Sequence, residues 1–329
     1  MNTEVLPYLT GEKKTLWTDF LSRAGLEADT AFEQTVLLWD GGTLVACGSR
    51  QGNLLKCIAV DANRQGEGLT ATVLTALRQE AFQAGHRHLF LYTKPENRTM
   101  FASLFFYPVA ETEQVLLMEN HKDGISEFLS SLPRAASLGT VGCVVMNANP
   151  FTLGHRYLVE TAAKECDHLY VFVLSEDKSR FSADDRMAMV RLGCAHLINV
   201  TVLPTGPYLI SSATFPTYFL KERELAGQIQ CRLDIEVFGC YFAPHFSITR
   251  RYVGTEPLSP MTAQYNKALK EHLPAFGIEV SELPRLSQSE IPVSASAVRA
   301  MIDEGNINQV RNLVPATTFD YLKTNGLLK

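Results

Sequence analysis

TVGCVVMNANPFTLGHRYLVE, residues 140–160, carries the reading that decides the fold. Its continuous β-branched opening, 140–146, predicts a strand buried on both faces. A proline-containing turn follows, and Gly154-His155 opens a helical stretch over 154–165. Strand, turn and helix in that order predict one parallel strand and its crossover helix. An open α/β sheet of such units binds ligands outside the carboxyl ends of its strands. The first turn of the helix presents unpaired N–H groups and the positive end of the dipole, which suits phosphate. Gly154 lets the backbone approach closely, His155 can donate to a phosphate oxygen, and Thr152 adds a hydroxyl. Asn149, Pro150 and Phe151 of the turn join the candidate nucleotide-binding set.

Outward from this stretch the alternation continues. HLYVFVL (168–174) and NVTVLP (199–204) predict strands, and LDIEVFG (233–239) a fourth. GIEVSEL (277–283) predicts a fifth. Ser182-Ala-Asp-Asp185 is a capping signal for a helix through Leu192. Further helices are expected over 261–273, 294–304, 306–313 and 317–324. Strands alternating with helices require a Rossmann-like, doubly wound parallel sheet. Upstream, 11–26 has a helical apolar stripe. TVLLW (35–39), Asp40-Gly41-Gly42 and TLVACGS (43–49) form a hairpin pattern, followed by LLKCIAV (54–60). A helix over 69–84, a strand at 88–93, a helix near 100–106 and a strand at 114–119 complete a smaller mixed α/β region. PRAASLGT (133–140) has no periodicity and marks the expected boundary, giving domains 1–135 and 136–329 in an α/β chain.

A second candidate anion site lies in PVSASAVRAMI (292–302), where Ser294, Ser296 and Arg299 sit at a helix start. The two stretches together carry a resemblance. Thr152-Leu-Gly-His155 resembles the first signature of the nucleotidyltransferase superfamily, and Val293-Ser-Ala-Ser-Ala-Val-Arg299 its second. The run from Glu176 to Arg186 is similar to that superfamily's mobile basic loop and brings in Lys178 and Arg180. Over nearly the whole chain, NPFTLGHRYLVE, SATFPTYFLK (212–221) and GTEPLSPMTAQYN (254–266) resemble the citrate lyase ligase family. In that family a GNAT-like N-terminal domain precedes a nucleotidyltransferase domain. The resemblance implies activation of acetate by ATP, with Mg²⁺. The acetyl group would pass through acetyl adenylate to the prosthetic-group thiol of the citrate lyase acyl carrier protein (gamma) subunit, releasing AMP and diphosphate. His155, Thr152, Lys178 and Arg299 then take catalytic roles. Gly154, Arg180, Ser294 and Ser296 hold the nucleotide, and Glu256 of Gly-Thr-Glu-Pro lies near it. In the first domain Arg64-Gln65-Gly66-Glu67-Gly68 is similar to the CoA-pyrophosphate loop of N-acetyltransferases, and Asn63 stands where that loop carries Arg or Gln. It is a candidate CoA-type loop.

Composition limits the alternatives. Thirty Lys and Arg against 35 Asp and Glu give a charge of −5, so no general attraction to nucleic acid or anionic membrane is expected and any basic site is local. No apolar run reaches membrane-spanning length, and the first residues lack a secretory pattern, so a cytoplasmic location is expected. Seven scattered cysteines with no CxxC pair read as reduced core thiols, Cys231 and Cys240 among them. His86 and His88 have no companions that would make a metal site. Three rival functions remain open on residues alone. They are an adenylyltransferase acting on a phosphorylated small molecule, an acetyl-CoA-dependent N-acetyltransferase with a regulatory nucleotide-binding domain, and a non-catalytic nucleotide sensor.

Overall fold

In the computed structural model, residues 1–136, 139–177, 179–209, 215–220, 225–256, 259–284, 287–288 and 291–328 are described. The chain divides into two compact units, Met1–Gly124 with Pro216–Ile229, and Ile125–Phe215 with Gln230–Lys329.

The first unit is built on a seven-stranded sheet. Its strands are β1 (Asn2–Leu6), β2 (Gln34–Asp40), β3 (Thr43–Gln51), β4 (Leu54–Val60), β5 (Phe90–Thr93), β6 (Tyr107–Glu111) and β7 (Leu116–Glu119). They are ordered β1-β2-β3-β4-β5-β7-β6. Neighbours are antiparallel except β4 and β5, which run parallel and pair only at Leu54–Phe90 and Leu55–Leu91. Beyond those pairs the two strands have no ladder between them. Helix α1 (Gly11–Arg23) buries Trp17, Phe20 and Leu21. Helix α2 (Leu69–Gln83) buries Leu69, Val73, Leu74, Leu77 and Ala81, an i, i+4, i+8 stripe set against β2, β3 and β4. A short helix α3 (Arg98–Ser103) follows, and α4 (Gly124–Ser130) opens the second unit. Two strands escape the sequence pattern, both at edges. β1 is largely exposed and polar, so no alternation marks it. β6 carries Pro108 and a register shift between Pro108 and Ala110, which only an edge strand tolerates.

The second unit holds a five-stranded parallel sheet of β8 (Val141–Met146), β9 (His168–Val173), β10 (Val200–Pro204), β11 (Arg250–Gly254) and β12 (Glu279–Leu283). The order β10-β9-β8-β11-β12, parallel throughout, is doubly wound from the central β8. Helices α5 (Leu153–Lys164), α6 (Ala183–Cys194), α7 (Ala226–Val237), α8 (Ala243–Phe246), α9 (Pro260–His272), α10 (Ala295–Asp303), α11 (Ile307–Val310) and α12 (Ala316–Thr324) complete it. Val144, Val171 and Val173 of the sheet pack with Val159, Val190, Val298 and Leu322 of the helices.

One expectation is corrected here. LDIEVFG does not form a strand: 233–237 belong to α7, and Phe238–Phe242 continue as a π-helical turn. Leu233, Asp234, Ile235, Val237 and Phe238 are all buried, so this helix shows no single apolar stripe. Its alternation in sequence therefore mimics a strand. The true fourth strand is β11, RRYVG, in which two arginines hide the pattern.

Candidate functional site

The turn after β8 and the start of α5 form the heart of the second unit's cavity. Thr152 is the N-cap of α5 and is buried, with its Oγ1 accepting from the His155 amide at 3.3 Å. In return His155 Nδ1 accepts from the Thr152 amide at 3.0 Å and lies 3.0 Å from Thr152 Oγ1. This reciprocal capping box satisfies two end-of-helix donors. It also has a chemical result. With Nδ1 accepting, the neutral imidazole carries its proton on Nε2, so the helix cap selects a donor tautomer. The ring lies nearly parallel to Phe151, at 14° and 5.8 Å between centroids, which fixes its plane. Thr152 thus holds His155, and its hydroxyl is committed to the cap.

The second stretch comes to the same place. A Cβ on Gly154 would stand 3.4 Å from the Val293 carbonyl oxygen, so the starts of α5 and α10 lie against each other. Ser294 caps α10, accepting from the Ala297 amide at 3.1 Å. Arg299 Nη1 donates to the Asn149 carbonyl at 2.6 Å and Nη2 to Ser296 Oγ at 3.3 Å. Asn149 also accepts, through Oδ1, from the Phe181 amide at 3.2 Å. Arg180 is ion-paired with Asp303. Partial burial lowers the Arg299 pKa, the neighbouring Arg180 charge lowers it further, and Asp303 opposes both. Phe151 and Pro150 are buried beneath the turn. Lys178 lies outside the described residues.

The cavity here has a volume of about 450 Å³. Thr152, Gly154, His155 and Glu256 line it, facing Asp234, Arg251, Tyr265 and Asn266. Glu256 Oε1 accepts from the Ser259 amide at 3.3 Å, just ahead of α9. Asn266 Nδ2 donates to the Gly254 carbonyl at 2.9 Å, holding the end of β11. Cys231 is on the wall, and burial pushes its thiol up to about 12, so it is not a thiolate at neutral pH.

Sequence reasoning overlooked several of these. Arg186 is wholly buried, donating to the carbonyls of Asn147 (3.0 Å), Leu174 (2.6 Å), Phe181 (3.2 Å) and Glu176, and to Asn147 Oδ1 (2.8 Å). It ties the ends of β8 and β9 to the loop before α6. Arg251, Asp234, Tyr265 and Asn266 were hidden because polar residues on a helix or strand read as solvent-facing. Among the described residues, three or more His, Cys, Asp or Glu never gather as a metal site.

The candidate CoA-type loop lies in the first unit, beside a cleft of about 820 Å³. Gly66 and Gly68 adopt φ of +87° and +76°, and Gly68 is the N-cap of α2 with no side-chain cap bond. Arg64, however, is engaged by two carboxylates, Glu67 at 2.7 Å and Asp40 at 3.0 Å. Gln65 is exposed. The gap between β4 and β5 receives Tyr218, whose hydroxyl donates to the Tyr92 carbonyl at 3.0 Å and whose carbonyl accepts from the Glu27 amide at 2.8 Å. Tyr218 and Phe219 form part of the cleft wall.

Comparisons with known proteins agree with this architecture. The family model described as the citrate lyase ligase C-terminal domain matches residues 141–322. The citrate (pro-3S)-lyase ligase of Klebsiella pneumoniae is 42% identical over 309 residues, covering 92% of this chain and 90% of that protein. The Haemophilus influenzae protein of the same name is 38% identical over 323 residues, covering 96% of each. A solved structure of Thermotoga maritima TmcAL bound with alpha-thio ATP is similar over 56% of this chain and 55% of that one, at 16% identity and a TM-score of 0.34, too slight to carry an argument. The chain belongs to the citrate lyase ligase family and is an enzyme of that family.

Proposed function

We propose that this enzyme uses ATP to activate acetate as acetyl adenylate and transfers the acetyl group to the prosthetic-group thiol of the citrate lyase acyl carrier subunit. AMP and diphosphate are released, and citrate lyase is thereby activated. Family membership supports the substrate. The observation that carries the chemistry is the meeting of two sequence-distant stretches, each a candidate anion site, with Gly154 against Val293 and Arg299 on Asn149, at the carboxyl end of a parallel sheet.

Attack of a carboxylate on the α-phosphorus of ATP needs positioning and charge stabilisation more than covalent assistance from the protein. His155 Nε2–H donates to the phosphoryl oxygens as negative charge builds on them, and it costs little reorganisation because the capping box already sets the tautomer. The amides at the start of α5, around Gly154, add aligned donors. Ser294, Ser296 and Arg299 hold the β- and γ-phosphates, and Arg180 and Lys178 add positive charge beside them. Asn149, Pro150 and Phe151 shape the turn, and Glu256 borders the cavity on the far side. Mg²⁺ entering with the nucleotide would supply charge neutralisation. Glu256 and Asp234 are carboxylates of the cavity wall. The carrier thiol then attacks the acyl carbon, with AMP leaving. Cys231 takes no covalent part, because its burial keeps it protonated.

We assign the nucleotidyl-transfer role to 136–329 and a GNAT-like scaffold to 1–135. The reading is tested by acetate-dependent exchange of labelled diphosphate into ATP, without any carrier protein. Exchange that requires acetate supports it. Exchange that instead requires a phosphorylated small molecule would replace it with an adenylyltransferase.

A further inference from the structure

Arg251 is the second residue of β11, in register with Cys143 of β8 and Val280 of β12. It is 2% exposed. A guanidinium carries five N–H donors, and burying it is costly unless they are matched. Among the described residues Arg251 makes one hydrogen bond, from Nη2 to the Tyr265 hydroxyl, long at 3.4 Å. Its Nε is buried with no partner, and the guanidinium stands 4.4 Å over the Phe238 ring. It forms no ion pair among the described residues. Asp234, on the same cavity wall, accepts instead from the Tyr265 hydroxyl at 2.9 Å.

Arg251 therefore borders the 450 Å³ cavity with most of its donors unmatched, and it shares that cavity with His155 and Gly154. A planar acceptor with two oxygens would match those donors, since the Asp234 carboxylate accepts from the Tyr265 hydroxyl. A carboxylate accepts the guanidinium fork through two parallel bonds. A polyphosphate would bring excess negative charge, and its donors are already gathered at the starts of α5 and α10. Val145, Leu158 and Cys231 provide apolar wall for a short alkyl group.

We propose that Arg251 is the carboxylate-recognition residue of this site and that its ligand is a short-chain monocarboxylate. This rests on the function proposed above only in taking that acid to be acetate. A carboxylate offers about four lone-pair sites. It can thus stay on Arg251 while one oxygen remains available as nucleophile.

The test uses the full chain with two readouts. One is the dissociation constant for ¹³C-acetate by NMR titration with a non-hydrolysable ATP analogue present. The other is the acetate KM of the diphosphate–ATP exchange. Arg251→Gln should weaken acetate binding roughly 10- to 100-fold, the range for lost charge-assisted bonds, with nucleotide affinity unchanged. Arg251→Lys keeps the charge without the fork and should fall between the two. It carries the test if Arg251→Gln fails to fold, as judged by melting temperature. Unchanged acetate affinity in a folded variant overturns the proposal. A wild-type enzyme that binds acetate through Arg251 yet shows no exchange would leave this site standing and sink the proposed reaction alone.

Discussion

Each unit places a cavity beside a helix start with arginine close by, yet the arginines are treated in opposite ways. In the first unit the cleft is the larger, about 820 Å³ against 450 Å³, but Arg64 beside the α2 turn is bound by Glu67 and Asp40. In the second unit Arg299 uses two of its donors on a backbone carbonyl and a hydroxyl and meets no paired carboxylate among the described residues, and Arg251 is left with donors to spare. An anion entering the first site must compete with two fixed carboxylates. One entering the second meets a guanidinium with unmatched donors and a preset imidazole donor, with the Asp234 and Glu256 carboxylates on the same wall. Cavity size and availability of unmatched donors are therefore separate properties here, and we assign the chemistry to the smaller cavity.

The comparison breaks most readily at His155. His155→Ala should lower acetate-dependent diphosphate release by about 10²-fold or more, the scale of a lost transition-state donor. A rate near wild type would show that the preset tautomer is irrelevant. Arg299→Ala removes charge from the phosphate cradle and should reduce kcat/KM for ATP by roughly 10- to 100-fold, as expected for charge-assisted hydrogen bonds. Steady-state kinetics in ATP measures this, and a defect confined to acetate would reassign the residue.

A smaller effect concerns acid stability and belongs to the second unit alone. Burial lowers the pKa of His168, and burial together with the nearby Arg134 charge lowers that of His245. The unfolded chain then binds more protons at mildly acid pH. The contribution to stability is present above the ordinary histidine value and is lost as pH falls through it. Melting temperature should decline between about pH 7.5 and 5.5, and His168→Phe should flatten that slope. The smallest expected effect is in the first unit, where Arg64→Gln should change the overall rate less than about twofold, as for an ordinary surface substitution. A large loss there would mean that the first cleft takes part in the reaction.

How much of this was legible in the sequence depends on burial pattern. β8, β9 and the helix starts at Ser182 and Ser294 were readable because a two-faced buried strand and a capping side chain leave local marks, whereas Thr152 reads in sequence as a phosphate donor and is the cap of α5. β11 was not, since Arg250 and Arg251 make a buried strand look polar, and α7 was misread because it is buried around most of its circumference. The proposed phosphate cradle was visible as two short motifs. Their meeting through Gly154 and Asn149, and the stitching by Arg186, depend on contacts between residues up to 150 positions apart, which no local pattern encodes.

The most direct test of the account is the mass of the citrate lyase carrier subunit, bearing its free-thiol prosthetic group, after incubation with this enzyme, ATP, Mg²⁺ and acetate. The account predicts a single acetyl increment on the prosthetic group, formed together with AMP and diphosphate. No increment, or one that requires acetyl-CoA in place of ATP and acetate, would contradict it.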